Sequence, residues 1–252
     1  NTGASRLWEG LIAYYPFNGN ANDESGNDNN GTVNGATLTA DRSGDVNASY
    51  SFDGVNDDIR VSTLSGNPRN QITISVWTKN LNPSGTPTII RKDSINGANP
   101  PVIGPVRKMD WGLYLNTNRR IYFDVFPESG GGQSGTQHTL NSPVLDASTL
   151  DQWSQIIAVY DGTNMHLYLN GAKVAQKAAA GLITEGSPPF NIGSVDRTYY
   201  FTEGKIDEVR IYTRALSAAE IGRLHSLETP PAPVITQQPS NIIAGEGSTV
   251  SL

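Results

Sequence analysis

Two tight turns between strand-like segments constrain the fold of this chain more than any other feature. Asp161-Gly162 and Asn170-Gly171 separate the segments 153–160, 165–169 and 172–178, which have the length and composition of strands. Asp-Gly and Asn-Gly are the dipeptides that two-residue hairpin turns favour, because the turn needs positive φ values. Strands joined by so short a connection pair antiparallel. This region therefore predicts an antiparallel meander.

Nine further segments have the short length and apolar character of strands. They are 11–17, 46–52, 59–62, 71–79, 86–91, 111–115, 120–126, 190–193 and 206–212. One helix start is clear: Ser217 followed by Glu220 forms a capping box, which predicts a short helix to about Leu224. Many short strands and little helix predict an all-β fold, a sandwich of two antiparallel sheets. The 252 residues suit one sandwich of roughly 200–250 residues.

Composition excludes several classes of function. The formal net charge is −6 and basic residues do not cluster, whereas nucleic-acid binding needs concentrated Lys and Arg. No apolar run is long enough to cross a bilayer, so we expect no membrane insertion. The chain has no cysteine and begins at Asn1 without a signal segment. Any targeting sequence has been removed or is not included in this sequence, and we expect a secreted or cell-surface protein of bacterial origin.

The composition changes near residue 227. A Pro-rich stretch begins at Thr229, and 245–252 resembles the opening strands of an immunoglobulin-like domain. We predict one jelly-roll domain at 1–226, followed at 227–252 by a linker and a truncated immunoglobulin-like start. Other domains of a larger chain are then natural partners.

Oxygen-rich groups suggest a metal site. Asp207 stands at the start of a strand, on the side that Val209 and Ile211 would share, and an inward carboxylate needs a counter-charge or hydrogen-bond donors. The loop 18–35 is dense in Asn, Asp and Gly, and Asn18 and Asp23 could supply the oxygen ligands that Ca²⁺ prefers. The alternative is that these residues serve tight turns only.

An ordered set of motifs resembles the laminin-G-like, pentraxin-like branch of the concanavalin A-like jelly rolls. The motifs are AYYPFNGNANDESGN (13–27), YSFDG (50–54), ISVW (74–77), WSQIIAVYDG (153–162), LYLNG (167–171) and IDEVRIY (206–212). The resemblance covers about residues 10–224. It is specific for the fold and weak for function, because this fold carries lectins, adhesion modules and glycanases.

The resemblance implies two places for calcium. Related β-glucanases hold a structural calcium at positions that correspond to Asn18, Asp53-Gly54 and Asp207 in this chain. Pentraxins bind ligands through calcium in other loops, which fall near Asp110 and Asp196. Only single acids stand at those two places, which argues against a ligand-bridging double-calcium site.

The residues of a catalytic site are missing from the pattern. Jelly-roll glycanases place two glutamates and an aspartate alternately on one strand, and no such triplet occurs. Gln137-His138 echoes a polysaccharide lyase without its arginine motif, and the three histidines lack zinc-ligand spacing. We therefore expect a calcium-stabilised recognition module for a polysaccharide or glycoconjugate. A structural adhesion or spacer domain is the second hypothesis, and a lyase or hydrolase the third.

A loop near the last strand is the predicted ligand site. It carries Tyr199, Tyr200 and Phe201, three consecutive aromatic residues that cannot all face one core, beside Asp196 and Arg197. An exposed ring can pack on a sugar while the charged groups bind its polar substituents. The alternative is that the rings cap the core and the charges are solvated.

The resemblance places a second charged segment at the same end of the sandwich. Its members are Arg107, Lys108 and Asp110, which close the long excursion after the strand 86–91. Trp77 lies opposite the aliphatic row of its strand. We expect it to be buried beneath a loop rather than stacked on a sugar.

Overall fold

The computed structural model describes residues 7–62, 64–94, 108–129, 133–134, 136–184, 189–195, 197 and 200–230. The predictions that name Arg107, Asp196 and Tyr199 lie outside the described residues, as does the predicted immunoglobulin-like start.

Within these residues the chain forms seventeen strands and two helices. The strands are β1 Leu11–Tyr15, β2 Gly31–Asn34, β3 Thr37–Thr39, β4 Ser49–Asp53, β5 Asp58–Val61, β6 Ile72–Lys79, β7 Thr88–Ser94, β8 Lys108–Leu115, β9 Ile121–Val125, β10 Glu128–Ser129, β11 Gln133–Ser134, β12 His138–Asn141, β13 Ser154–Tyr160, β14 Asn164–Leu169, β15 Ala172–Ala178, β16 Phe190–Ile192 and β17 Glu203–Tyr212. The helices are α1 Ala147–Asp151 and α2 Ala218–Glu228. Neither helix in the described part of the chain is long and apolar enough to cross a membrane.

Fifteen of the strands build two antiparallel sheets, which confirms the predicted all-β sandwich, and β10 pairs with β11 in a separate two-stranded sheet. The eight-stranded sheet has the order β15-β14-β13-β6-β17-β4-β3, and β1 also pairs with β17. The seven-stranded sheet has the order β12-β9-β8-β7-β16-β5-β2. The predicted meander forms as β13-β14-β15, and Asn170 and Gly171 take φ values of 48° and 76° in its second turn. Strands β2, β3, β10, β11 and β12 are additions to the predicted set.

The core lies between the two sheets. Alternate residues of both sheets contribute to it, and its largest fully buried aromatic side chains include Tyr15, Phe17, Trp111, Phe123 and Phe190. Burial of so much apolar surface is the main stabilising contribution to a sandwich of this kind.

Helix α2 covers the outer face of the eight-stranded sheet. Its buried residues Ile221 and Leu224 pack in a second apolar cluster with Ile157, Val159 and Tyr212. The predicted capping box is present, with Ser217 Oγ accepting from the Glu220 amide and Glu220 accepting from the Ser217 amide. The helix runs four residues beyond the predicted end at Leu224. Its last residue, Glu228, accepts hydrogen bonds from the side chains of Trp77 and Gln155 at 2.6 and 2.7 Å.

Candidate binding face on the seven-stranded sheet

Cross-strand pairing aligns one polar row on the outside of the seven-stranded sheet. From one edge to the other the row consists of Thr139, Asp124, Gly112, Arg91, Asn191, Arg60 and Thr32, each directly opposite the next. Directly opposite residues of antiparallel strands share a face. The chain neighbours Phe123, Ile90 and Ile192 are in the core, so the row faces away from it. Six strand spacings make it about 29 Å long.

A pair of tyrosines lies beside this polar row. Tyr122 is opposite Tyr114, and Tyr114 is opposite Thr88. The two rings stack with centroids 5.3 Å apart and an interplanar angle of 20°. Both side chains are half-buried, so each keeps part of its ring accessible. Neither helix of the described residues packs on this face, since α1 contacts β6 and α2 lies against the outer face of the eight-stranded sheet.

Asp124 anchors the polar groups near the tyrosines. It is 1% exposed, and Thr139 Oγ1 donates to its Oδ1 at 2.7 Å. Burial raises the pKa of Asp124, while hydrogen bonds from Thr139, Gln137 and Tyr114 and the charge of Arg91 oppose that rise. Burial likewise raises the pKa of Tyr114, so its hydroxyl stays protonated. The carboxyl group and the hydroxyl are thereby held in fixed positions on the face.

Asp58 lies near the other end of the face. It is fully buried, and Ser194 Oγ donates to its Oδ2 at 3.3 Å, while Arg197 Nε is 3.5 Å from its Oδ1. Burial raises the pKa of Asp58, and Arg197 and Arg60 oppose that rise. Arg197, from the predicted ligand loop, therefore borders the open sheet face rather than a separate site.

Tyr200 extends the same border. Its main-chain carbonyl accepts from the Thr88 amide at 2.9 Å, at the strand start that pairs with Tyr114. Its side chain is 53% exposed. The sequence argument that at least one ring of 199–201 must be exposed is confirmed by Tyr200.

Asp110 does not lie at the same end of the sheet as Arg197 and Tyr200. It is fully buried, and Lys92 Nζ donates to its Oδ2. Lys92 lies four residues along β7 from Thr88, about 13 Å away, and therefore toward the other end of the sheet. The expectation that Asp110 and Lys108 share an end with the aromatic loop is wrong, because β7 runs between the two groups.

The predicted metal ligand Asp207 has a protein cation as its partner. Arg42 Nη1 donates to Asp207 Oδ2 at 2.6 Å, and the Glu208 amide donates to Asp207 Oδ1 at 2.8 Å. Burial and the Glu208 charge raise the pKa of Asp207, and Arg42 opposes that rise. The residues around Asp207 thus do not fit a calcium ion, since a guanidinium already balances the carboxylate.

A bulge explains why Asp207 faces away from the core. Asp207 is opposite Trp77 and Arg210 is opposite Ser75, so β17 has one extra residue between these pairs. Glu208 takes that position with φ of 51°. The prediction that Asp207 shares a side with Val209 and Ile211 is wrong, because the extra residue reverses the alternation.

The other predicted metal ligands are not brought to Asp207. Asp23 accepts at Oδ1 and Oδ2 from the Tyr14, Ser25 and Asn29 amides and from Ser25 Oγ, at 2.8–3.0 Å, and so shapes its own loop. Asn18 is exposed.

Asp53 and Gly54 form an exposed turn in which Asp53 accepts from the Val55 amide. Asp53 pairs with Glu203, four residues from Asp207 along β17. Among the described residues no group of three His, Cys, Asp or Glu could hold a metal. Calcium elsewhere in the chain stays a prediction.

The two carboxyl groups of the face cannot act together on a glycosidic bond. Asp124 is on β9 and Asp58 on β5, four strands away in the sheet order. Four spacings are about 19 Å, whereas paired glycosidase carboxylates lie about 5–9.5 Å apart.

Sequence reasoning missed the polar row because register between distant strands cannot be read from one strand. A signal was nevertheless available. Asp124 stands between Phe123 and Val125, and Asn191 between Phe190 and Ile192, so each is a polar residue inside an apolar strand. A search for such residues on every strand would have found the face.

Comparisons with known proteins agree with the architecture. Residues 52–222 match a family model described as the concanavalin A-like lectin/glucanases superfamily. Similar solved structures include the binding domain of Paraclostridial Mosquitocidal Protein 1, with 17% identity over 87% of this chain and 52% of that chain and a TM-score of 0.64. The botulinum neurotoxin serotype D binding domain has 16% identity over 90% and 53%, with a TM-score of 0.64. The botulinum neurotoxin type G receptor binding domain has 18% identity over 87% and 52%, with a TM-score of 0.60.

The chain spans about half the length of these structures. At identities this low the likeness shows the fold alone. No match was found among the curated proteins.

Proposed function

The chain belongs to the concanavalin A-like lectin/glucanases superfamily, and from that premise we propose that it is a non-catalytic extracellular module that binds a polysaccharide or glycoconjugate. One observation carries the proposal: the polar row runs across all seven strands beside the stacked Tyr114 and Tyr122. The ligand would lie on this open sheet face, with Arg197 and Tyr200 at its border.

The chemistry of the face suits a sugar. Aromatic rings offer an apolar surface with a polar tip, and a sugar has both C–H faces and hydroxyl groups. The row supplies donors from Arg91 and Arg60 and groups of both kinds from Thr139 and Asn191, while the buried Asp124 orients Thr139 and Tyr114. Sites that bind small polar ligands combine such surfaces with a few fixed polar groups.

The distance between carboxyl groups favours binding over hydrolysis. A glycosidase needs its two carboxylates on either side of one bond, and about 19 Å between the strands of Asp124 and Asp58 is too far. The solved structures with this fold are named as binding domains, which supports the same class. Two further structures with this fold show the binding domain of botulinum neurotoxin DC with rat synaptotagmin II and with SialylT, and this chain covers about half of that domain.

A retention assay on insoluble and immobilised polysaccharides tests the proposal. Wild type, Tyr122→Ala, Tyr200→Ala and Trp8→Ala are compared at equal concentration. Trp8 is the matched control, because it is an aromatic residue with 59% exposure that packs on Tyr14, on the eight-stranded sheet. We expect Tyr122→Ala to weaken retention at least about tenfold. Tyr200→Ala should weaken it less, and Trp8→Ala should leave it unchanged.

The results separate the hypotheses. Retention by no polysaccharide would favour the adhesion or spacer alternative. Loss in Tyr200→Ala but not in Tyr122→Ala would move the ligand from the sheet face to the predicted loop. Release of soluble products during the assay would establish a lyase or hydrolase instead.

A further inference from the structure

We infer that Asn191 is the central hydrogen-bond acceptor for a hydroxyl group of the ligand, and that the Arg91–Asn191–Arg60 part of the polar row selects neutral glycans over acidic ones. The inference rests on the proposed function and names the ligand class of the same face. Asn191 is 4% exposed, and its Oδ1 accepts no hydrogen bond from any residue that the structure describes.

An unpaired acceptor this deeply buried is unusual in a native protein. Buried side-chain oxygens nearly always have a partner, because an unmade hydrogen bond leaves the desolvation of the atom uncompensated. Asn191 lies in the middle of the row, on a strand whose core-facing neighbours are Phe190 and Ile192. Its side chain therefore points away from the core toward the polar row, but Oδ1 exposes less than 1 Å², so a bound ligand can donate to it only after a neighbouring side chain moves aside.

The neighbours of Asn191 favour a hydroxyl as that donor. Arg91 and Arg60 lie directly opposite it on the two adjacent strands and carry only donors. A hydroxyl group can accept from a guanidinium and donate to Oδ1 at the same time. A carboxylate or sulfate bound between the arginines would bring acceptor oxygens against an acceptor.

The arginines also have carboxylates near them. Arg91 interacts with Asp124, and Arg60 interacts with Asp58. An incoming acidic group would compete with those carboxylates, and the like charges would repel. Neutral hydroxyl-bearing chains meet neither obstacle, so they are the better fit to the row.

Two substitutions test the role of Asn191. Asn191→Leu keeps the approximate size and removes the acceptor, whereas Asn191→Asp keeps acceptors at the same place. We expect Asn191→Leu to weaken binding of the retained polysaccharide at least about tenfold, and Asn191→Asp to keep it. Asn191→Leu should melt at the same temperature as wild type or higher, because a buried unpaired acceptor is gone. Thr37→Val, at an exposed position of β3 in the eight-stranded sheet, is the control and should bind normally.

Retention on several polysaccharides at several salt concentrations tests the selectivity for neutral over acidic glycans. Retention is measured on neutral polysaccharides (xylan, mannan, β-glucan) and acidic ones (alginate, polygalacturonate, heparin) between about 0.05 and 0.5 M NaCl, a range over which screening of charge pairs changes strongly. We expect retention on a neutral polysaccharide with little salt dependence.

The outcomes distinguish this inference from the proposed function. If wild type binds nothing, the proposed function fails. If wild type binds and Asn191→Leu binds equally, only the role of Asn191 fails. Binding confined to acidic polysaccharides, or lost steeply with salt, would overturn the selectivity in favour of an anion at the arginines. A large drop in the melting temperature of Asn191→Leu would show a structural role and overturn the inference.

Discussion

Arg42 joins segments that are far apart in the sequence. It donates to Asp207 Oδ2 at 2.6 Å and to the main-chain carbonyl of Glu228, and its guanidinium lies 5.2 Å from the centre of the Trp77 ring. The side chains of Arg42 and Asp207 are 10% and 1% exposed. Arg42 Nη2 also lies 3.4 Å from Glu208 Oε1, so removing Asp207 would leave the guanidinium buried with only part of its compensation.

Removing Asp207 should therefore destabilise the protein strongly. We expect Asp207→Ala to lower the free energy of unfolding by up to about 3–5 kcal/mol, the usual cost of leaving one buried charge unpaired, because Glu208 still compensates part of the Arg42 charge. Adding Arg42→Met to Asp207→Ala should cost less than the sum of the two single changes, because the stranded charge is removed. Urea unfolding of the four proteins measures the coupling. Asp53→Ala, at an exposed turn, is the control and should have little effect.

The same variants test the calcium prediction. If Arg42 and not a metal is the partner of Asp207, a chelator removes nothing from Asp207 and should not lower the melting temperature there. If chelation lowers the melting temperature of wild type but not of Asp207→Ala, a metal at Asp207 is established and the Arg42 assignment fails. Elemental analysis of the purified protein then tests for calcium bound elsewhere.

Helix α2 is held at both ends by side chains. Its first turn has the Ser217–Glu220 capping box, and Arg214 Nη2 lies 2.9 Å from Glu220 Oε1. Burial alone would raise the pKa of Glu220, but hydrogen bonds from Arg214 and Ser217 outweigh it and lower the pKa to about 2. The ionised carboxylate is therefore favoured by folding, and its negative charge also suits the helix N-terminus.

The cap should make stability depend on pH in a defined window. Because the pKa of Glu220 is lower in the folded state than its usual 4.5, its contribution is complete above pH 4.5 and is lost as the pH falls toward 2. The difference in melting temperature between wild type and Glu220→Gln should shrink over that range. Ser217→Ala should cost about 1 kcal/mol at neutral pH. Ser226→Ala, in the same helix, is the control, and an equal pH effect there would contradict the assignment to Glu220.

Elements with local signals were predictable, and those set by distant pairing were not. Asn170-Gly171 and the Ser217–Glu220 box specify a turn and a helix start through neighbouring residues alone, and both are present. Trp77 was predicted to be buried, and it is, but beneath α2 rather than a loop, stacked 5.5 Å from His225. Which element covers a ring depends on the packing of the whole chain. The polar row depends on six strand pairings and was missed for the same reason.

At the scale of the molecule, helix α2 ends in a buried contact with the eight-stranded sheet. Glu228 Oε2 accepts from Trp77 and Gln155, and Arg210 forms an ion pair with Oε1 of the same residue. Glu228 is thus part of the sandwich, two residues beyond the predicted domain boundary at 226. The domain boundary itself stays a prediction.

Two truncations can place that boundary. We expect the chain 1–230 to melt within a few degrees of 1–252, because every contact of Glu228 is kept. The chain 1–226 should melt well below it, since Trp77 Nε1 and Arg210 lose a buried partner. Glu228→Gln in 1–230 separates the loss of charge from the loss of helix length. Equal melting of 1–226 and 1–230 would mean that the Glu228 contacts contribute nothing.

Because of the extra residue in β17, the alternation of inward and outward side chains shifts by one position at Glu208. Before Glu208 the residue Ile206 faces the core, and after it Val209 and Ile211 do, although an uninterrupted strand could not orient 206 and 209 alike. A strand that kept Glu208 but paired without the bulge would turn either Asp207 inward or all later isoleucine and valine positions outward. Deleting Glu208 would instead leave a regular strand in which Asp207 still faces Arg42. The bulge therefore absorbs one residue and spares the pairing on both sides of it.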